Sequence, residues 1–278
     1  MFMAIFKKIE NNKIKKFYKN YRDRIFDKKF NSSYPLRKYV HQKNYFSILD
    51  YIKQGEKILE VGCGEGILSA LMAQKGAEVT ASDISKPNLM NAKKYAKNKG
   101  INNINFLEAD AEDLPFRDNS FDIVVADNVL EHLPDFEKGL SEIKRVTKKR
   151  AIIVLPTCLN PCVWCLLGGD NFWKFSWKTP FAIFIGFLKI IFGIFSKGIN
   201  QGYANKKDFP HLWRYPWVMR KELKRAGFKI INFEAVSICL PYFNFLLPLI
   251  RFLDKYKKNF FLKNFGYGSI TVLEKVKE

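Results

Sequence analysis

The architecture of this 278-residue chain follows from one stretch, Ile58-Leu59-Glu60-Val61-Gly62-Cys63-Gly64-Glu65-Gly66. A short apolar run, typical of a strand, leads into three glycines at alternate positions, and a helical pattern begins at Ile67. Glycine lets the backbone adopt positive φ and approach a ligand closely, and the helix start offers N–H groups that can bind it. The stretch therefore predicts a loop that binds a nucleotide-type ligand.

The spacing of the glycines limits the kind of nucleotide. Dinucleotide-binding loops follow the pattern G-x-G-x-x-G. Gly62 and Gly64 fit it, but Ile67 stands at the third position and the extra glycine is Gly66. This spacing argues against a nicotinamide dinucleotide. Glu60, at the end of the strand, is a candidate for a buried carboxylate that faces a cation or accepts hydrogen bonds.

The sequence around this loop alternates between strand and helix patterns. Such alternation is typical of βαβ units, which build a parallel sheet with helices on both faces. The predicted strands are Lys57–Val61, Glu78–Ala81, Ile104–Glu108, Phe121–Ala126, Ala151–Leu155, Phe228–Val236 and Ser269–Leu273. The predicted helices are one or two near the N-terminus, then residues 36–52, 67–75, 87–99, 136–147 and 216–226.

Polar residues recur where four successive predicted strands end. Besides Glu60, they are Asp83, Asp110 and the pair Asp127-Asn128. Ligands of parallel sheets bind at the carboxyl ends of the strands, and a carboxylate there can accept both hydroxyls of a ribose. Four such positions beside a glycine loop predict one nucleotide site.

At this point the sequence resembles the class I S-adenosylmethionine-dependent methyltransferases of the small-molecule type. The motifs that carry the resemblance are ILEVGCGEG, VTASDIS, EADAEDLPF and FDIVVADNVLEHL, within residues 58–155, with weaker support from LWRYPWVMRKELKRAGFKIINFEAV. The resemblance implies an enzyme with S-adenosyl-L-methionine as cofactor. It also implies a Rossmann-like, seven-stranded, mostly parallel sheet whose last strand, Ser269–Leu273, is antiparallel.

The resemblance also implies roles for individual residues. The loop of Glu60, Gly62, Cys63, Gly64 and Gly66 would surround the methionine part of the cofactor. Further along the chain, Asp83 would hold the ribose with Ile84 against the adenine, Asp110 and Ala111 would meet the adenine ring, and the backbone near Asp127 and Asn128 would face the sulfonium.

Two histidines are candidates for a general base. His132 follows the fourth predicted strand, and His211 begins the element that follows an apolar insertion. Imidazole can take a proton from a hydroxyl near neutral pH. The alternative is that neither has a catalytic role, since the Glu131-His132 pair is common in this family whatever the substrate.

We expect no metal. Some members of the fold hold a metal with a Glu-x-x-Glu-His pattern, but Asn128 stands at its first position here. Cys158, Cys162 and Cys165 have the spacing of an iron–sulfur motif, yet they follow a strand of a different fold and share one helix face, which suits buried thiols.

The charge of the chain is concentrated at its two ends. Net charge is +20, and residues 1–45, 46–156 and 157–278 carry +10, −2 and +12. Both basic segments are rich in aromatic residues, which predicts an anionic partner such as nucleic acid or an anionic membrane surface. With five cysteines and no evident signal peptide or apolar run of 18 residues, we expect a protein of the reducing cytoplasm.

Two apolar insertions favour the membrane over nucleic acid. They are residues 157–205 and Ile238–Leu253, and both leave the predicted sheet at its carboxyl edge. We therefore expect them to form one apolar cap over the cofactor. RNA binding would favour aromatics on a polar groove rather than long aliphatic runs. A buried cap around a small acceptor, or a contact between subunits, would leave the same pattern.

The sequence therefore predicts a peripheral-membrane methyltransferase that acts on an apolar or lipid-linked acceptor, at the inner face of the membrane. The alternatives are a methyltransferase of a soluble small molecule or sugar, an RNA or protein methyltransferase, and a non-catalytic cofactor-binding protein. The expected segments are basic helices at 1–45, a cofactor-binding core at 46–156, the apolar insertion at 157–212, and the end of the fold at 213–278 with a second insertion at 238–263.

Overall fold

The structure is a computed structural model that describes residues 2–22, 29–159, 173–200 and 211–276, with backbone alone for residues 2–10. The helices are α1 (Phe2–Lys19), α2 (Pro35–Leu49), α3 (Ile67–Gln74), α4 (Lys86–Asn98), α5 (Phe136–Val146), α6 (Thr179–Gly193), α7 (Pro216–Arg225) and α8 (Leu247–Leu253). The strands are β1 (Lys57–Val61), β2 (Glu78–Asp83), β3 (Ile104–Glu108), β4 (Phe121–Asp127), β5 (Thr147–Leu155), β6 (Gly198–Asn200), β7 (Leu212–Arg214), β8 (Phe228–Ala235) and β9 (Ser269–Lys275).

Seven strands form one sheet in the order β3-β2-β1-β4-β5-β9-β8. β1 pairs in parallel with both β2 and β4, and β2 pairs in parallel with β3, whereas β9 runs antiparallel to β8. The predicted α/β fold with an antiparallel last strand is therefore confirmed. β6 and β7 pair separately as a two-stranded antiparallel ribbon.

The prediction for β5 was wrong at its start. The strand begins at Thr147 rather than Ala151, because its first residues continue the strand with charged side chains that an apolar pattern does not detect. Lys149 pairs with Asp122 at 2.9 Å, and Arg150 pairs with Glu56 at 2.7 Å. These surface ion pairs occupy the polar half of the strand.

Contacts divide the chain into two compact units. The first unit comprises Met1–Ile25 and Ile52–Ala151, and the second comprises Phe26–Tyr51 and Ile152–Glu278. The units group residues by contact rather than by role, so the four-segment division made from the sequence stays a prediction. Every predicted cofactor residue lies in the first unit, and both apolar insertions lie in the second.

Within the second unit, α2 is held by a buried carboxylate that is far away in the sequence. Asp254, 6% exposed, accepts hydrogen bonds from Tyr39 Oη at 2.9 Å, from Ser237 Oγ at 2.8 Å and from the backbone N–H of Ile238 at 2.6 Å. α2 also buries Leu36 and other apolar side chains in a cluster with Trp173, Cys239 and Ile250. This packing and the Tyr39 hydrogen bond together hold α2 in place.

No helix among the described residues is both long and apolar enough to cross a bilayer. α6, the most apolar helix of the first insertion, has 15 residues. At 1.5 Å per residue it is ~22 Å long, short of the ~30 Å hydrocarbon core of a bilayer.

We expect Asp254→Ala to destabilise the protein by about 1–3 kcal/mol, because it removes the acceptor of three buried or half-buried donors. Urea unfolding followed by far-UV circular dichroism measures the free energy of unfolding. Lys255→Ala, an exposed change one residue later, is the matched control and should stay close to wild type. Equal stability of the two variants would contradict a structural role for the carboxylate.

Candidate active site

The loop after β1 has the backbone that its glycines predict. Gly62, Gly64 and Gly66 have φ of 71°, 52° and 72°, in the left-handed region that favours glycine. There is also no room for a side chain: a Cβ on Gly62 would overlap Val129, and one on Gly66 would lie 2.7 Å from the Cβ of Ala92. The loop therefore lies tightly between β4 and α4 and ends at the start of α3.

Glu60 lies beneath this loop as a buried carboxyl group. It is 3% exposed, and the Ser69 hydroxyl of α3 donates a hydrogen bond to it. The pKa of Glu60 is raised to about 8: burial is the largest cause, the Ser69 hydrogen bond opposes it, and the charges of Asp127 and Asp83 add to the rise. An acid with this pKa is mostly neutral at pH 7, and a cation bound beside it, such as the ammonium or sulfonium of the expected cofactor, would lower the pKa and favour the charged form.

Asp83 ends β2 and lies against the same loop. Its Oδ2 accepts from the backbone N–H of Gly64 at 2.9 Å, and its Oδ1 accepts from Ser85 N–H at 2.8 Å. Burial raises its pKa, and the backbone hydrogen bonds from Ser85 and Gly64 lower it in part. Each carboxylate oxygen can accept a second hydrogen bond, so the geometry is compatible with the predicted ribose contact.

The residues predicted to meet the adenine lie beside α1. Ile84 and Asp110 line a cavity of about 590 Å³ whose other wall is formed by α1 residues, including Asn12 and Lys15. Asp110 Oδ1 accepts from Glu112 N–H at 2.9 Å, and Ala111 is buried. The cavity places the predicted adenine residues next to an open space in the first unit.

Asp127 and Asn128 follow at the carboxyl end of β4. The Asn128 amide donates to Asp127 Oδ1 at 2.7 Å, and Asn128 has a φ of 54°. Asparagine tolerates this left-handed conformation better than most residues. The turn directs Val129 onto Gly62, so the loops after β1 and β4 touch. The structure thus gathers the predicted cofactor residues at one edge of the sheet, while their contacts with a cofactor stay predictions.

α1 supplies residues that the sequence did not predict for the site. Lys15 Nζ lies 2.6 Å from Asp110 Oδ2 and 2.7 Å from Glu112 Oε2. Burial lowers the pKa of Lys15, but hydrogen bonds to the two acids outweigh it and raise the pKa overall. The sequence suggested that the basic N-terminal segment faces an external anion; at least this lysine is used inside the first unit. The sequence feature that could have predicted this role is the position of Lys15 between Ile14 and Phe17, on the apolar side of an amphipathic helix.

The two candidate bases have different surroundings. His132 ends a 3₁₀ turn after β4 in the first unit, and its Nδ1 lies 3.0 Å from Tyr18 Oη of α1. His211 belongs to the second unit, where its Nε2 accepts from the indole N–H of Trp213 at 3.1 Å. Each histidine thus has one ring nitrogen engaged, but His132 belongs to the same unit as the predicted cofactor residues, which favours it of the two. A catalytic role for either histidine stays a prediction.

The cysteines that resemble an iron–sulfur motif are only partly described. Cys158 is fully buried and its thiol donates to the backbone carbonyl of Trp213. Burial raises the pKa of this thiol to about 12, so it stays protonated. Cys162 and Cys165 lie outside the described residues.

We expect S-adenosylmethionine to release up to one proton from the protein when it binds at pH 7. Glu60, with its pKa of about 8, is mostly protonated beforehand, and a bound cation would favour its charged form. Affinity should therefore rise between pH 6 and 8, by at most about tenfold per pH unit.

Calorimetry in two buffers of different ionisation enthalpy measures the proton count. Glu60→Gln is the control and should bind without the proton release contributed by this residue. Binding by wild type with the same proton count as Glu60→Gln would contradict this role.

Known proteins of similar sequence share this core. Residues 59–155 match the family described as "Methyltransferase domain". The demethylmenaquinone methyltransferase of Listeria monocytogenes serotype 4b (strain CLIP80459) is 25% identical over 216 residues, which cover 75% of this chain and 85% of the relative. The ubiquinone biosynthesis O-methyltransferase of Actinobacillus pleuropneumoniae serotype 5b (strain L20) is 34% identical over 120 residues, 39% of this chain and 51% of the relative.

Solved structures confirm the fold. The magnesium protoporphyrin IX methyltransferase from Synechocystis PCC 6803, solved with bound S-adenosylmethionine, has a TM-score of 0.56 at 16% identity and covers 96% of this chain and 97% of its own. The domain match and the names of the relatives agree on methyl transfer, and the neighbour solved with its cofactor supports S-adenosylmethionine as the methyl donor. These findings support a class I S-adenosylmethionine-dependent methyltransferase, with residues 59–155 matching the methyltransferase domain.

Proposed function

We propose that this methyltransferase acts on an apolar, lipid-linked acceptor while bound to the surface of an anionic membrane, at its cytoplasmic face. The names of two relatives support an acceptor of the quinone-precursor type, since they refer to demethylmenaquinone and to ubiquinone biosynthesis. The observation that carries the proposal is the exposed face of α6.

α6 is apolar on the side that faces solvent. Its buried side is narrow and mostly small, with Thr179, Ala182, Gly186 and Ile190 at helical spacing. The C-terminal end of this side is anchored, because Tyr215 Oη donates to the backbone carbonyl of Ile190 at 2.9 Å. The exposed large side chains along and just after the helix are Phe181, Phe184, Phe187, Ile191, Phe192, Ile194 and Phe195.

Such a face needs a partner. Phe192 is 82% exposed and Phe195 is 99% exposed, and water-soluble surfaces seldom carry contiguous apolar patches of this kind. α6 is too short to span a bilayer but long enough to lie in its interface, with its phenylalanines toward the acyl chains. A helix in this position anchors an enzyme to one leaflet.

The residues around α6 are typical of an anionic interface. Trp177 is 83% exposed, and Lys178 Nζ lies 5.3 Å from the centre of its ring. Lys174 and Lys197 are exposed on either side of the helix. Tryptophan is enriched at membrane interfaces, and each lysine near an anionic surface contributes roughly 1 kcal/mol of attraction. The +12 charge of residues 157–278 has the same sign.

The second insertion has the same character and contacts the first. The Asn244 amide donates to the backbone carbonyl of Trp173 at 2.7 Å, and the rings of Phe175 and Phe243 lie 5.6 Å apart. Exposed aromatic side chains lie within the second insertion, at Phe245 and Phe252, and after it, at Phe260 and Phe261. The contact supports the prediction that the two insertions form one apolar cap; its position over the cofactor stays part of the proposal.

The residues of the first unit would carry the reaction. Bound S-adenosylmethionine supplies an electrophilic methyl group on a sulfonium. Glu60 and the loop of Gly62–Gly66 would hold its methionine part, Asp83 its ribose, and Ile84, Asp110 and Ala111 its adenine. His132 would accept the proton that an acceptor hydroxyl must lose. The protein's main contribution is to position the two reactants in line.

We expect methyl label from radioactive S-adenosylmethionine to enter the lipid fraction of a bacterial extract. The assay offers the enzyme membrane lipids, soluble metabolites and total RNA in parallel, with Asp83→Ala as the inactive control. Label confined to metabolites would favour a soluble acceptor, and label in RNA would favour an RNA methyltransferase; either result would contradict the lipid proposal.

We expect Phe184→Glu combined with Phe192→Glu to weaken binding to phosphatidylglycerol-containing vesicles at least tenfold, because burial of each phenylalanine contributes about 1.5–3 kcal/mol. Vesicle sedimentation measures the bound fraction. The matched control is Met90→Glu combined with Ile231→Glu, which adds the same negative charge at two exposed apolar residues outside α6. Binding to pure phosphatidylcholine should be weaker for wild type. Equal binding by both double variants would contradict a role for α6.

A further inference from the structure

Two adjacent phenylalanines stand exposed in the connection between α8 and β9, in the second unit. Phe260 is 84% exposed and Phe261 is 66% exposed. We call this pair the aromatic tip. Two neighbouring rings with this exposure make a contiguous apolar patch, and such patches mark interaction sites more often than isolated side chains do.

The aromatic tip is held by defined local structure. The backbone N–H of Phe261 donates to Asn259 Oδ1 at 3.0 Å. The Asn264 side-chain amide donates to the backbone carbonyls of Phe260 and Phe261 at 3.1 and 3.2 Å. The same amide is tied to α7, because its Oδ1 accepts from Arg220 at 2.9 Å. The fold itself therefore presents the two rings to solvent.

The chain around the aromatic tip carries an excess of positive charge. Residues 255–273 contain four lysines and no acidic residue. Two of these lysines, Lys257 and Lys258, share the buried carboxylate of Glu234, with N–O distances of 3.7 and 3.5 Å. One carboxylate balances one of the two charges, and Lys255 is exposed. The surroundings of the tip thus attract an anion.

Rings that point outward from a turn with cations beside them match an anionic bilayer, whose acyl chains lie beneath a layer of negative headgroups. Lys263 Nζ lies 5.3 Å from the centre of the Phe260 ring, so one cation stands directly over the more exposed ring. Single-stranded nucleic acid also combines anions with stacking partners. Base stacking needs an open ring face, however, and Lys263 takes one face of Phe260, which favours lipid.

We propose that the aromatic tip is a second membrane anchor, which inserts its two rings into an anionic leaflet while the neighbouring lysines contact the headgroups. The inference rests on the proposed function, because it requires an enzyme that works at a membrane surface. Together with α6, the tip gives the second unit two contacts with one leaflet. Two linked contacts bind more tightly than either alone, since the first raises the effective concentration of the second.

Vesicle sedimentation tests the anchor. Phe260→Ala combined with Phe261→Ala should weaken binding to phosphatidylglycerol-containing vesicles at least tenfold, since it removes both inserted rings. The matched control is Phe46→Ala combined with Met90→Ala, which removes two exposed apolar side chains from α2 and α4 and should bind as wild type does. Affinity for S-adenosylhomocysteine should stay within about twofold in both variants, which shows that they are folded.

The outcomes separate this inference from the proposed function. Unchanged binding by the tip variant, with binding lost in Phe184→Glu combined with Phe192→Glu, would overturn the aromatic tip and leave α6 as the anchor. A wild-type protein that binds no vesicles would overturn both.

A second measurement locates the aromatic tip without removing it. Phe260→Trp adds a tryptophan to the five of the chain, and the difference from the wild-type emission reports its surroundings. On anionic vesicles we expect this emission to move to shorter wavelength and to be quenched by lipids brominated in their acyl chains. Phe46→Trp should show neither effect. An added tryptophan at position 260 that stays unquenched on bound protein would overturn the anchor.

Other partners of the aromatic tip would give different results. Sedimentation velocity over a range of protein concentrations detects self-association, and retention on single-stranded RNA detects nucleic-acid binding. Self-association or RNA binding that is lost in the tip variant, while its vesicle binding stays intact, would assign the tip to a second copy of the chain or to RNA and overturn the inference.

Discussion

The tight packing of the Gly62 backbone on Val129 is the constraint on which the site depends. It joins the loop after β1 to the loop after β4, so the residues of each are fixed relative to the other. Glu60 is buried beneath the first loop, and Asp127 and His132 lie on or just after the second. A side chain at position 62 would separate the loops, and the chemistry assigned to both would lose its common geometry. The left-handed φ of Gly62 and its lack of a Cβ both allow the two loops to pack this closely.

Charge is used in two different ways in this molecule. In the first unit, Lys15 forms ion pairs with Asp110 and Glu112 and thereby holds α1 in place. In the second unit, lysines stand exposed next to aromatic side chains around α6. The net charge of +20 does not by itself distinguish lysines that form ion pairs within the protein from lysines that are available to bind an external anion. The distinction comes from the partner: a buried carboxylate in one case, a solvent-exposed apolar face in the other.

Local patterns were enough to predict most of the fold and the cofactor-side residues. β1 and β4 are mainly apolar strands and β3 is a mixed one. Glu60, Asp110 and Asp127 lie in or just after these strands, so their order along the chain also predicts their place at the sheet edge. The polar start of β5 was missed because Lys148 and Lys149 break the apolar pattern.

The contacts of α1 were out of reach for another reason. Lys15 and Asp110 are 95 residues apart, and Tyr18 and His132 are 114 apart. No local period encodes such a pairing.

The division of the N-terminal residues has a consequence for the order of folding. α1 belongs to a unit whose remaining residues are complete at Ala151, whereas α2 belongs to a unit that extends to the end of the chain. α2 relies on Asp254, more than 200 residues downstream of its Tyr39 partner. During synthesis, the first unit can therefore close long before α2 finds its carboxylate. Until Asp254 is synthesised, α2 lacks the hydrogen bond that holds it, and its apolar side chains lack part of their native packing. The nascent chain on the ribosome therefore contains a helix that is made early but is stabilised late.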